Sequence, residues 1–143
     1  MNKLFNTEFE VSMRILLLLS NVNNPLTKDE IAYLDFITIY SNTYGFENEN
    51  LNGECVYPLN ELTIQMKLIQ ESIKSLVVSG FIEVTANKDK GFLYKITNEG
   101  ASITQSMSSA YSTDYRRTQK EIITKIGDIS ITKLKEISKK KGW

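Results

Sequence analysis

The 143 residues include no histidine, and that absence removes more chemistry than any motif in the chain adds. Without imidazole there is no Ser-His-Asp or Cys-His catalysis, and the commonest general base and metal ligand are both missing. There is one cysteine, Cys55, so an internal disulfide and a thiolate-built zinc site are also excluded. A single thiol suits a reducing cytoplasm, and with no histidine to activate it Cys55 reads as inert or half-buried. The seven glycines form neither a G-x-x-x-x-G-K-S/T loop nor a G-x-G-x-x-G turn, so no phosphate cradle is present. The longest apolar run, Ile15–Leu19, is far too short to cross a bilayer, and no secretory leader pattern opens the chain. These features lead us to expect a cytoplasmic protein with no metal and no cofactor.

Formal net charge is zero, which argues against a dedicated non-specific nucleic-acid binder. The charges are nevertheless divided. Residues 116–143 carry nine Lys/Arg and three Asp/Glu, whereas residues 1–115 carry eight and fourteen. An acidic body therefore precedes a basic tail. The densest acidic cluster, Glu47, Glu49 and Glu54, lies in an Asn/Gly-rich segment without calcium-loop spacing and reads as a solvated loop.

What is present is periodic. Asn6 or Thr7 is positioned to cap a first helix running to Asn21, with Glu8 and Glu10 in its first turn. Phe9, Val11, Met13 and Ile15–Leu19 cover most of its circumference, so it belongs in a core or under a partner. The core is the preferred reading; a partner contact would run through Leu17 and Leu19. Thr27 and Glu30 form a capping-box signature for a second helix, from about Lys28 to Asn42, with Ile31, Leu34, Ile37 and Tyr40 on its stripe. A short helix is expected from Leu59 to Gln65 and a main helix from about Met66 to Ser79, buried along Ile69, Ile73, Leu76 and Val77. Gly80 suits a left-handed helix end.

Phe81, Ile82 and Val84 then read as a strand, Ala86–Gly91 as a hairpin tip, and Phe92–Thr97 as a return strand. Thr97 or Asn98 is positioned to cap a helix through Met107 and beyond. The Ser/Thr-rich segment from Ser102 to Thr113 keeps helical spacing and reads as helix, and Gly127-Asp128 breaks a helical C-terminal part. Helix, strand, hairpin and strand in this order give a mainly α fold with a small β-hairpin wing. The expected architecture is a winged helix-turn-helix domain with extra N-terminal and C-terminal helices. It divides into residues 1–115, the winged-helix domain with its N-terminal helices, and 116–143, a basic helical extension.

A DNA-reading winged helix sends the exposed face of its recognition helix into the major groove and its wing to the backbone. Here that face would present Lys67, Gln70, Glu71, Lys74, Ser75 and Val78, and the wing Lys88 and Lys90 on either side of Asp89. Arginine, which makes the commonest bidentate contact to guanine, is absent from both. Arg116, Arg117 and Lys120 share one helical turn near Tyr111 and Tyr115. They suit a phosphate, an acidic partner or the chain's own acidic body.

Particular segments also carry a family likeness. They are Phe5-Asn6-Thr7-Glu8-x-Glu10-Val11-Ser12-x-Arg14-Ile15-Leu16, Leu34-Asp35-Phe36, Leu51-Asn52-Gly53, Leu76-Val77-x-x-Gly80 and Gly91-Phe92-x-Tyr94. Over roughly Met1 to Tyr115 the chain resembles the middle component of bacterial three-component systems built around an SMC-like ABC ATPase, of which Lamassu anti-phage defence systems are members. It departs from the family at Asn52-Gly53-Glu54, where the loop often carries His-Gly-Asp. The resemblance implies a non-enzymatic adaptor that joins the ATPase subunit to an effector subunit, often a nuclease, with any DNA reached through the complex. The alternative from the residues alone is a winged-helix DNA-binding transcriptional regulator.

Overall fold

Helix signals in the sequence are met by the side chains that were in place to supply them. A computed structural model describes residues 7–41, 43–46, 51 and 58–139. Cys55, the cluster Glu47, Glu49 and Glu54, the alternative cap Asn6, and Asn52-Gly53-Glu54 lie outside the described residues. α1 (Glu8–Asn21) begins at Thr7, whose hydroxyl accepts from the Glu10 amide at 3.2 Å. α2 (Lys28–Ile39) opens with the complete Thr27/Glu30 capping box. It stops at Ile39, short of the expected Asn42. Tyr40 leaves helical geometry, and the Phe46 amide donates to the Ser41 carbonyl as the chain turns through Gly45 at φ +81°.

α3 (Pro58–Val78) is one helix of 21 residues, where two had been expected. After Pro58, at its tolerated first-turn position, no glycine or proline interrupts the hydrogen-bond ladder. Gly80, at φ +81°, ends the segment.

β1 (Ile82–Asn87) and β2 (Gly91–Ile96) form an antiparallel hairpin whose register runs from Ile82↔Ile96 to Asn87↔Gly91. The ladder therefore extends further than expected, and the tip is only Lys88–Lys90. The Asn87 side-chain oxygen accepts from the Asp89 and Lys90 amides and closes the turn, with Gly91 at φ +90° beyond it. Leu26, in the α1–α2 connection, exchanges two main-chain hydrogen bonds with Tyr94 and so lies against the outer edge of β2.

α4 (Asn98–Gln105) is capped by Thr97, and α5 (Ala110–Ile126) by Ser109. The Ser102–Thr113 segment is thus broken at residues 106–109 and is not one continuous helix. The Ser106 hydroxyl donates to the Ile103 carbonyl and the Ser109 hydroxyl accepts from the Ser112 amide, the local bonding by which serine favours helix ends over interiors. Gly127 ends α5, and α6 (Ile131–Lys139) follows. α5 runs unbroken through positions 115 and 116 and buries Tyr115, Thr118, Gln119 and Ile122.

The core sits around α1 and α2. α1 packs on α3, α4, α5 and α2, and α2 packs on α3, α5 and α6. Both are buried over most of their circumference, as central helices are. Among the described residues, no helix is long and apolar enough to cross a membrane.

Candidate functional site

α3 turns Leu62, Gln65, Ile69, Ser72, Ile73 and Leu76 inward. Helical geometry then leaves Lys67, Gln70, Glu71, Lys74, Ser75 and Val78 outside, and all six are exposed. The face is mixed in sign, and its last turn is apolar, with Val78 88% exposed. The start of α1 borders it: the Ser75 hydroxyl donates to the Glu8 carboxylate at 2.9 Å. A carboxylate therefore lies beside the lysines, which lowers the positive potential that a phosphate would meet.

Lys88 and Lys90 are exposed at the hairpin tip, but they do not extend the α3 face. Lys90 lines a cleft of about 380 Å³ with Asn21–Leu26, Glu30 and the α5–α6 corner, and no α3 residue lines it. On α5, Arg116 donates to the Thr104 carbonyl and ties α5 to α4. Arg117 reaches Glu121 at 3.3 Å and Asp114 at 4.0 Å on its own helix. Lys120 is exposed. The eight residues expected at a DNA surface are thus spread over three separate places.

Leu17 and Leu19, the expected partner contacts, are 1% and 2% exposed. Packing around α1 meets the burial demand of its apolar surface inside the chain, so the core reading of this helix replaces the partner one. The large apolar side chain that α1 leaves outside is Phe9, 70% exposed, beside a groove of about 260 Å³ lined by Arg14, Leu17, Met13 and Tyr111.

The strongest polar feature is internal. Arg14 of α1 and Asp35 of α2, 2% and 0% exposed, form a bidentate ion pair, with Nε to Oδ1 at 2.9 Å and Nη2 to Oδ2 at 3.1 Å. Arg14 also donates to Gln65 of α3 at 3.3 Å, and the Tyr115 hydroxyl of α5 donates to Asp35 at 2.7 Å. Gln119 donates to the Tyr115 and Thr38 hydroxyls and accepts from Asn21. One network therefore joins four helices.

Burial by itself would lower the Arg14 guanidinium, but the Asp35 charge and hydrogen bonds outweigh it and hold it above its ordinary range. Burial pushes the Tyr115 phenol up and the Asp35 charge pushes it further. Burial also raises Tyr111, and the nearby Arg14 offsets part of that rise. These three groups keep their neutral-pH protonation states, and the network they belong to locks the helices together.

Sequence patterning missed this network. Its signal was available as a single arginine in an otherwise apolar stretch of α1 and an aspartate inside the apolar run of α2. Both entered only as letters of the family likeness.

Among the described residues no cluster of acidic or thiol side chains is arranged to hold a metal. No curated protein and no solved structure matches the chain. A family model does match: ABC-three component (ABC-3C) system Middle Component 2, over residues 4–142. That match reaches well past Tyr115, where the likeness had been placed, and takes in α5 and α6.

Proposed function

The chain belongs to the Middle Component 2 family of ABC-three component systems, and from that premise we propose that it is a non-enzymatic adaptor within such a complex. It joins an SMC-like ABC ATPase subunit to an effector subunit of nuclease type in Lamassu-like anti-phage defence, and it works in the cytoplasm. The order α1, Leu26 bridge, α2, α3, β1, β2 supports reading residues 8–96 as a winged helix with added C-terminal helices. The observation that carries the docking assignment is the exposed α3 face. It combines Lys67, Glu71 and Lys74 with a bare Val78 and, bonded to Ser75, the Glu8 carboxylate, a mixture that suits a protein surface of both charge signs better than a duplex.

The test is co-expression with the neighbouring ATPase and effector genes. The wild-type chain is captured with them, and Lys74→Glu with Val78→Asp abolishes capture while leaving the circular dichroism unchanged. Full capture of that double variant excludes α3 as the docking face.

Exposure of Lys67, Gln70 and Lys74 along one helix also favours a second reading, a DNA-binding regulator. That reading predicts a duplex shift that weakens steeply with salt and is lost in Lys67→Ala with Lys74→Ala. No shift at low salt removes it.

A further inference from the structure

Among the described residues the hairpin carries an open edge that the α3 reading leaves unused. Leu26 and Tyr94 exchange main-chain hydrogen bonds at 3.0 and 2.8 Å, so Tyr94 turns both its backbone groups away from β1. Val84, opposite Tyr94 in the register, therefore makes no ladder bond to β2, and antiparallel alternation gives Ile82 and Ala86 the same status. The bond from the Thr97 amide to the Phe81 carbonyl at 3.1 Å continues the alternation at the next odd position. Glu83, Thr85 and Asn87 thus hold β2, while the N–H and C=O groups of Val84 and Ala86 point out from the free side of β1.

That edge lacks the usual protection. It has no proline, its register is unbroken, and Glu83 is its one charge. The even-numbered side chains form an apolar strip on one face of the hairpin. Ile82 is buried at its base, whereas Val84 is 40% exposed and Phe92, across from Ala86, is 62% exposed. The strip that enters the core at one end leaves it uncovered at the other.

We infer that β1 pairs antiparallel with β1 of a second copy of this chain, about a two-fold axis at Thr85, to give a four-stranded sheet. Self-complementarity selects this occupant. The axis sets Val84 opposite Ala86 of the other copy, so outward backbone groups meet outward groups and about four main-chain hydrogen bonds form. Glu83 falls opposite Asn87 and Thr85 opposite itself, so no like charges meet. An axis at Glu83 would set two carboxylates against each other, and one at Val84 would need the buried Ile82. On the apolar face the small Ala86 lies between Phe92 of its own copy and Val84 of the other, which lets the ring reach across. The zero net charge of the chain adds little repulsion between copies.

Sedimentation equilibrium on the full chain tests the pairing. The wild type shifts from monomer to dimer with a dissociation constant in the micromolar range. Val84→Pro deletes an amide that the fold does not use, so it keeps the wild-type circular dichroism and remains monomeric at the same concentrations. Thr85→Lys, on the opposite face, sets two ammonium groups together at the axis and weakens the dimer at least tenfold, which keeps the test decisive if the proline disturbs the hairpin. A wild-type chain that stays monomeric at about 300 μM, the weak end of specific association, overturns the inference. So does a dimer that survives both substitutions. A monomeric chain whose β1 amides gain exchange protection only when the ATPase is added overturns it in favour of a partner strand.

Discussion

Replacing Asp35 with alanine removes the centre of the network that ties α1, α2, α3 and α5 together. Asp35 is fully buried, holds Arg14 through two hydrogen bonds at 2.9 and 3.1 Å, and accepts from Tyr115 at 2.7 Å. Alanine leaves the Arg14 charge buried without its carboxylate, held only by neutral neighbours such as Gln65 at 3.3 Å and the Tyr111 hydroxyl. A buried charge that loses its counter-charge costs about 3–5 kcal/mol, and the Tyr115 hydroxyl, left without an acceptor though still receiving Gln119, moves the cost to the upper end of that range. A domain of this kind has about 5–15 kcal/mol of stability, so the variant loses a third of it or more. The ion pair and the loss of one partner are different quantities, however. Arg14→Met with Asp35→Leu and Tyr115→Phe removes both charges and the hydroxyl bonded to Asp35 together, and this variant returns to within about 2 kcal/mol of the wild type. Urea unfolding at pH 7, followed by circular dichroism at 222 nm, measures both changes. An Asp35→Ala loss below about 1 kcal/mol, or a triple variant as unstable as Asp35→Ala, refutes the reasoning.

Tyr111 and Tyr115 predict a loss of stability at high pH. Their folded values lie above the ordinary tyrosine range, so their contribution is complete below about pH 10 and is lost as pH rises from there through the folded values. While both phenols stay protonated only in the fold, the slope is about 2.7 kcal/mol per pH unit. Urea midpoints between about pH 8.5 and 11.5 measure it, Tyr111→Phe halves it, and a flat profile contradicts it. Gly100→Ala places a methyl group against the Phe81 carbonyl and within 2.8 Å of Ile96, where α4 crosses the base of the hairpin. It lowers stability by about 2–3 kcal/mol in the same urea assay, and a neutral result would mean that α4 sits further from the strands. Thr27→Ala opens the capping box of α2 and costs about 1 kcal/mol by thermal melting.

Much of the fold was legible because the signals are local. Thr7, Thr27 and Thr97 cap the helices they precede, Gly80 and Gly127 end helices, and the apolar stripe of α3 faces inward as its spacing predicts. The errors fell where two local rules competed or where tertiary packing decided. α3 is one helix because nothing interrupts it, and the Ser/Thr-rich stretch breaks because serine bonds its own backbone at residues 106 and 109. Placement of the candidate surfaces was harder to read. Helical spacing put Lys67, Gln70 and Lys74 together on one face, but only the three-dimensional packing separates Lys90 and Arg116 from them. The Arg14–Asp35 pair spans 21 positions and the Tyr115–Asp35 bond 80, separations that no periodic pattern encodes.

The adaptor assignment is tested most directly by three-way reconstitution. The ATPase and effector subunits that the proposal assigns to the complex are purified and run on size-exclusion chromatography with and without this chain. As an adaptor, the chain makes the two co-elute only when it is present, in one peak that contains all three. An ATPase and effector that associate equally well without the chain, or an ATPase that never binds it, would contradict the account.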